Sequence, residues 1–119
     1  MSMDERRSFL LAALAVAGVG VGGAFAQAAP RVVKVSARRF VFTPNEIALR
    51  KGEPVVFELT TEDVFMGFNV PDFNVRSDIV PGKAMRLSLT PDKAGRFTFL
   101  CDVFCGDGHE GMSGTLSVT

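Results

Sequence analysis

The stretch R-F-T-F-L-C-D-V-F-C-G-D-G-H-E-G-M-S-G-T-L-S-V, residues 96–118, reads as a strand, a loop and a second strand. Phe97, Phe99 and Cys101 alternate with Thr98 and Leu100, and Leu116 and Val118 alternate with Thr115 and Ser117. Period-two patterning of this kind buries one face of each strand. Between the strands stand Cys101, Cys105, His109 and Met112, at intervals of four, four and three, in a loop rich in Gly106, Gly108 and Gly111. Cys101 ends its strand on the inward face, so its sulfur is expected to point towards the end of the fold and not into bulk water. The two cysteines and the one histidine of the chain all lie in this run. Thiolates, an imidazole and a thioether are soft and borderline donors, the set copper prefers.

Outward from this segment the same pattern recurs. Val33, Val35 and Ala37 alternate with Lys34 and Ser36; Val55, Phe57 and Leu59 with Glu58 and Thr60; Met85, Leu87 and Leu89 with Arg86, Ser88 and Thr90. Turn signals separate them at residues 51–54 (K-G-E-P), 80–83 (V-P-G-K) and 91–95 (P-D-K-A-G). No helical apolar stripe of a dozen residues interrupts the series. Short strands at spacings near ten residues predict an all-β, two-sheet sandwich. Eleven phenylalanines serve a chain without tryptophan or tyrosine. Phe40, Phe42, Phe57, Phe97 and Phe99 are expected in the core, and Met85 with them. Phe65 and Phe68, flanking Met66 in a loop, and Phe104, inside the donor run, either shield a site from water or simply pack.

The first residues read as an export signal, not as part of the fold. Arg6 and Arg7 precede Ser8, Phe9 and Leu10, followed by an Ala-rich apolar stretch and the small-x-small sequence of residues 24–26. Paired arginines before x-Phe-Leu resemble a twin-arginine address; an ordinary Sec signal with a basic start is the alternative. Residues 1–26 are therefore assigned to the signal and residues 27–119 to one domain, about ninety residues long and sufficient for a single small core. An uncleaved anchor is disfavoured by the Gly-rich run at residues 18–23, and a membrane would be a partner only in that case. The formal net charge is +0, and without a basic stripe nucleic acid is excluded as a partner. Export to the periplasm, an oxidising compartment, makes a disulfide between Cys101 and Cys105 a competing reading, and with it a thiol–disulfide protein. That reading leaves His109 and Met112 without a role. A C-x-x-x-C pair on a β scaffold also lacks a helix N-terminus to lower a thiol's pKa.

The run C-x-x-x-C-G-x-x-H-x-x-M, carried by Cys101, Cys105, Gly106, His109 and Met112, resembles the cupredoxin domain of cytochrome c oxidase subunit II, the carrier of the binuclear purple-copper (CuA) centre. Two further stretches are similar to that family: R-S-D-I-V-P-G-K at residues 76–83 and D-V-F-M-G-F at residues 63–68. The resemblance spans roughly residues 54–118 and implies a cupredoxin-like Greek-key β-sandwich. It implies that Cys101 and Cys105 are bridging thiolates, His109 a terminal imidazole, Met112 a weak thioether, and the backbone carbonyl of Val103 the other weak ligand. The chain departs from the family at Met66, where a histidine is expected. A thioether favours Cu(I), so Met66 as a ligand would raise the reduction potential or weaken one of the two positions. As a plain hydrophobic plug, it would leave one copper on Cys101, Cys105, His109 and Met112.

Copper, as one or two ions, is thus the expected cofactor, in one-electron transfer with a redox protein such as a c-type cytochrome or another copper protein. A periplasmic Cu(I) carrier or scavenger is the alternative that Met66 favours. Asp102, Asp107 and Glu110 decorate the loop, either as an acidic rim for a basic partner or as solvated charge. Arg38 and Arg39 read as surface charge. No base–nucleophile pair stands out, so no enzymatic conversion is expected.

Overall fold

Alternation sets the strands, and the strands form two sheets. The computed structural model describes residues 29–119. The export signal expected over residues 1–26 lies outside the described residues. Within them the strands are β1 (Arg31–Arg38), β2 (Val41–Thr43), β3 (Glu46–Leu49), β4 (Val55–Thr61), β5 (Met66–Val70), β6 (Val75–Ile79), β7 (Met85–Leu89), β8 (Gly95–Leu100) and β9 (Ser113–Val118). Single 3₁₀ turns occupy Pro71–Phe73 and His109–Gly111. Among the described residues no helix is long and apolar enough to cross a membrane.

One sheet orders its strands β2-β1-β4-β7 and the other β3-β9-β8-β5-β6. The chain moves between them after β2, β3, β4, β6 and β7, which gives the Greek-key crossings of a cupredoxin-like sandwich. Two pairings are parallel, β1 with β4 and β9 with β3; the others are antiparallel. The expected alternation holds in β1, where Val33, Val35 and Ala37 are buried and their neighbours exposed. It holds equally in β4, where Val55, Phe57 and Leu59 face inward.

Four phenylalanines join the sheets: Phe42 and Phe57 from one, Phe68 and Phe99 from the other. Their ring centroids stand 5.0–5.7 Å apart, with Phe42 meeting Phe68 and Phe99 edge to face. Such pairs contribute roughly 0.5–1.5 kcal/mol each beyond the area they bury. Phe68 is therefore core, on β5, and not a shield in a loop. Phe40, expected inside, lies in the β1–β2 turn and is 37% exposed. Its ring covers Gly106 and Gly108 of the donor loop: a Cβ on Gly108 would collide with it, and one on Gly106 would press tightly against it. Phe97 is half-buried and packs edge to face on Phe73 at 4.8 Å, with Lys93 above both rings.

Candidate metal centre

The loop between β8 and β9 closes on itself through its backbone. Cys101 N–H donates to Met112 O over 3.2 Å, extending the β8–β9 ladder by one pair beyond Leu100 and Ser113. Inside that closure the chain turns tightly: His109 N–H donates to Gly106 O, Gly111 N–H to Gly108 O and Met112 N–H to His109 O, each over 3.1 Å. Gly106 has φ +140°, a conformation that side chains rarely adopt. This winding turns residues spaced four, four and three apart towards one point.

The donor atoms converge. Cys105 Sγ stands 3.9 Å from Cys101 Sγ, 3.8 Å from His109 Nδ1 and 3.9 Å from Met112 Sδ. Cys101 Sγ lies 3.2 Å from the carbonyl oxygen of Val103. The two sulfurs and a ring nitrogen of His109 all fall within 4.8 Å of one another. Both cysteines are free thiols, and their separation far exceeds the roughly 2.05 Å of a disulfide. It suits one ion reaching both sulfurs at bonds of about 2.3 Å. The cluster has the chemistry of a CuA-like site, and its donor set fits copper.

Burial divides the site into an inner and an outer part. Cys101, Cys105 and Met112 belong to the buried apolar cluster, whereas His109 is half-buried. Burial together with the neighbouring Cys101 pushes the Cys105 thiol up to about 11. A cleft of about 350 Å³, lined by Thr98, Leu100, Cys101, His109, Glu110, Met112 and Ser113, opens onto the centre. Phe104, 72% exposed, leans over the imidazole with ring centroids 5.7 Å apart.

Met66 opens β5, paired with Ile79, and is fully buried in the same apolar cluster as Cys101, Cys105 and Met112. It is a strand residue, not a loop residue. Phe65, beside it, is exposed at the surface.

Asp102 is neither a rim charge nor a freely solvated one. Its carboxylate turns inward and accepts from Arg76 Nε at 2.6 Å, Arg76 Nη2 at 3.0 Å and Asn69 Nδ2 at 3.0 Å. The Arg76 guanidinium, by hydrogen bonding, holds the Asp102 carboxyl below the usual carboxylate range. Arg39 lies at the surface, as expected, and there pairs with Asp63: its backbone amide donates to Asp63 Oδ2 at 2.9 Å and Nη2 stands 3.1 Å from Oδ1. Asp63 is held low chiefly by that backbone hydrogen bond, then by the guanidinium. Neither pairing has a local signal in the sequence, because the partners lie 26 and 24 residues apart.

Comparison with known proteins agrees with this geometry. The profile of the cupredoxin-like domain matches residues 9–118. Cytochrome c oxidase subunit 2 of Thermus thermophilus is 35% identical over 86 residues, covering 72% of this chain and 64% of that protein. The chain thus spans a little under two thirds of the length of this relative. The periplasmic domain of subunit II of cytochrome oxidase from Bradyrhizobium japonicum superposes with a TM-score of 0.71 at 20% identity, covering 78% of this chain and 86% of that one. A chain of a heme-copper terminal oxidase dimer gives a TM-score of 0.68 at 26% identity, covering 75% of this chain and 65% of that one. The donor loop, the Greek-key sandwich and these likenesses agree, and the chain belongs to the cupredoxin-like domain family, with cytochrome c oxidase subunit 2 proteins among its relatives.

Proposed function

We propose that this chain is an exported, periplasmic copper protein that passes single electrons through a CuA-like centre. One observation carries the reading: Cys101 Sγ, His109 Nδ1 and Met112 Sδ all stand within 3.9 Å of Cys105 Sγ. Cys101 and Cys105 would hold the metal as thiolates, His109 as the imidazole, Met112 as a weak thioether and Val103 through its carbonyl. Met66 would stand in for the second imidazole. Bound copper supplies one-electron chemistry, alternating between its cuprous and cupric forms. The protein's part is to keep the donors fixed in both states. Backbone hydrogen bonds within the loop and its anchorage on β8 and β9 support that role. His109, half-buried and next to the cleft, is the donor nearest solvent and the natural exit for an electron.

The partner is a redox protein, either a c-type cytochrome or another copper protein. Export uses a twin-arginine or Sec signal over residues 1–26, and membrane attachment arises only if that signal is retained. The centre is a carrier and not a catalyst, because the one histidine of the chain is committed to the metal.

Burial of Met66 favours a second reading, a carrier or scavenger that holds Cu(I) and hands it on. Thiol–disulfide exchange is disfavoured by the raised pKa of the Cys105 thiol, which leaves little thiolate at neutral pH. Copper loading of the purified mature domain separates these readings. An intensely coloured, mixed-valence species with two coppers per chain, seen by metal analysis and EPR, supports electron transfer. A colourless Cu(I) protein that cannot be reversibly oxidised sinks that reading in favour of copper handling. No copper uptake by the reduced protein leaves only the thiols.

A further inference from the structure

We propose that Arg76 is a positioning residue for the copper centre, acting through Asp102 to fix the backbone that carries Cys101 and Val103. The proposal rests on the copper reading above.

Asp102 stands between two proposed donors, the Cys101 thiolate and the Val103 carbonyl. Its side chain points away from both, towards the β5–β6 hairpin. There it meets a socket built from three sides. Arg76 on β6 grips it with two nitrogens at 2.6 and 3.0 Å, and Asn69 on β5 adds a third donor at 3.0 Å. Gly67 on β5 forms the floor: a Cβ there would overlap the Asp102 carboxylate and crowd Arg76 Nη2. Asp78 stands 3.0 Å from Arg76 Nη2 and holds the guanidinium in register. Gly67 and Asp78 are themselves cross-strand partners, as are Asn69 and Arg76, so the socket is assembled by one hairpin.

This arrangement has a consequence for the donors. The loop is tied to β9 through Cys101 N–H and Met112 O, but that bond acts at residue 101, and the backbone hydrogen bonds within the loop resume only from Gly106 onwards. The Arg76–Asp102 fork anchors the chain in that interval, immediately after Cys101. A bidentate guanidinium–carboxylate pair fixes orientation as well as distance, which a lysine would not do. With residue 102 pinned, the 3.2 Å approach of Cys101 Sγ to Val103 O is set by the scaffold. Side chains that orient metal ligands without touching the ion commonly govern affinity.

The test uses the mature chain loaded with copper, with Cu(I) affinity measured by competition against a chromogenic chelator alongside visible absorption and EPR. Asp102→Asn and Arg76→Gln are each expected to weaken copper binding by roughly 10- to 100-fold and to shift the absorption bands. Gly67→Ala leaves every charge in place and evicts the carboxylate sterically, so the same loss is expected. Arg76→Lys should restore only part of it. The Arg76→Gln, Asp102→Asn double variant should be no weaker than the poorer single one, since both act through one contact. Variants that melt earlier but bind copper with unchanged affinity and spectrum overturn the proposal, leaving the pair as a brace of the fold. Failure of the unsubstituted protein to bind copper overturns the copper reading itself, and is recognisable because it appears before any substitution is made.

Discussion

Cys101 N–H donates to the carbonyl oxygen of Met112 over 3.2 Å, so the first and last donors of the loop are joined by one backbone bond. The backbone at two residues eleven positions apart is thereby held together by an extension of the ladder that joins β8 to β9. Preorganisation of this kind lets a metal bind without ordering the loop first.

Replacing the buried thioether of Met66 by an imidazole tests the departure from the family. Met66→His is expected to stabilise the cupric form, lower the reduction potential and raise copper occupancy towards two per chain. Metal analysis, EPR and a potentiometric titration check this. Unchanged copper number and spectrum would show that residue 66 does not touch the metal.

The metal-free thiols should be sluggish. With Cys105 pushed up to about 11, little thiolate exists at pH 8. Alkylation of Cys105 by iodoacetamide, followed by mass spectrometry, is expected on the order of 100-fold slower than that of an ordinary exposed cysteine. The folded-state pKa is raised, so this group favours folding at pH values below about 9 and loses that contribution as pH rises through about 11. Metal-free protein should accordingly melt at lower temperature in that alkaline window.

Acid should act on different residues. Asp63 and Asp102 both have folded-state pKa values held below the ordinary carboxylate range by arginine partners. Depressed carboxylates stabilise the fold above the unfolded pKa near 4, and that contribution fades as pH falls through the lower folded values. Thermal melts of the metal-free protein between pH 6 and pH 2 are expected to show the loss. Asp63→Asn together with Asp102→Asn should flatten the profile; an unaltered slope would assign acid sensitivity elsewhere.

Gly114 on β9 is a packing requirement. A Cβ there would come within 2.6 Å of the Asn45 carbonyl and would meet the edge of the Phe99 ring. Gly114→Ala is expected to destabilise by roughly 1–3 kcal/mol through overpacking, and Phe68→Ala by roughly 3–5 kcal/mol through the cavity it leaves. Denaturant unfolding measures both.

The strands with strict alternation were legible in the sequence: β1, β4, β7, β8 and β9 all carry apolar residues on one face. Shorter ones were less so. β2 and β3 have three and four residues, too few for a period to declare itself. β5 reads M-G-F-N-V, with Gly67 and Asn69 where a strand sequence usually places branched or charged residues, so it resembled a loop. Phe68, which shares that loop-like sequence, stands at the centre of the core. Phe40 erred in the other direction, because a phenylalanine beside a strand does not reveal whether its neighbour is the core or a glycine loop.

The sandwich, and the order of thiols, imidazole and thioether along one loop, could be read from the sequence alone, because period-two burial and residue spacing are local properties of the chain. The contacts between distant segments were decided only by tertiary structure. Asp102 became the occupant of the Arg76, Asn69 and Gly67 socket instead of a rim charge, and Arg39 became the partner of Asp63. Folding also brought Phe40 over Gly106 and Gly108. Local spacing can gather soft donor side chains into one loop, but the charges and rings that pack against that loop come from segments dozens of residues away, brought near only when the two sheets close.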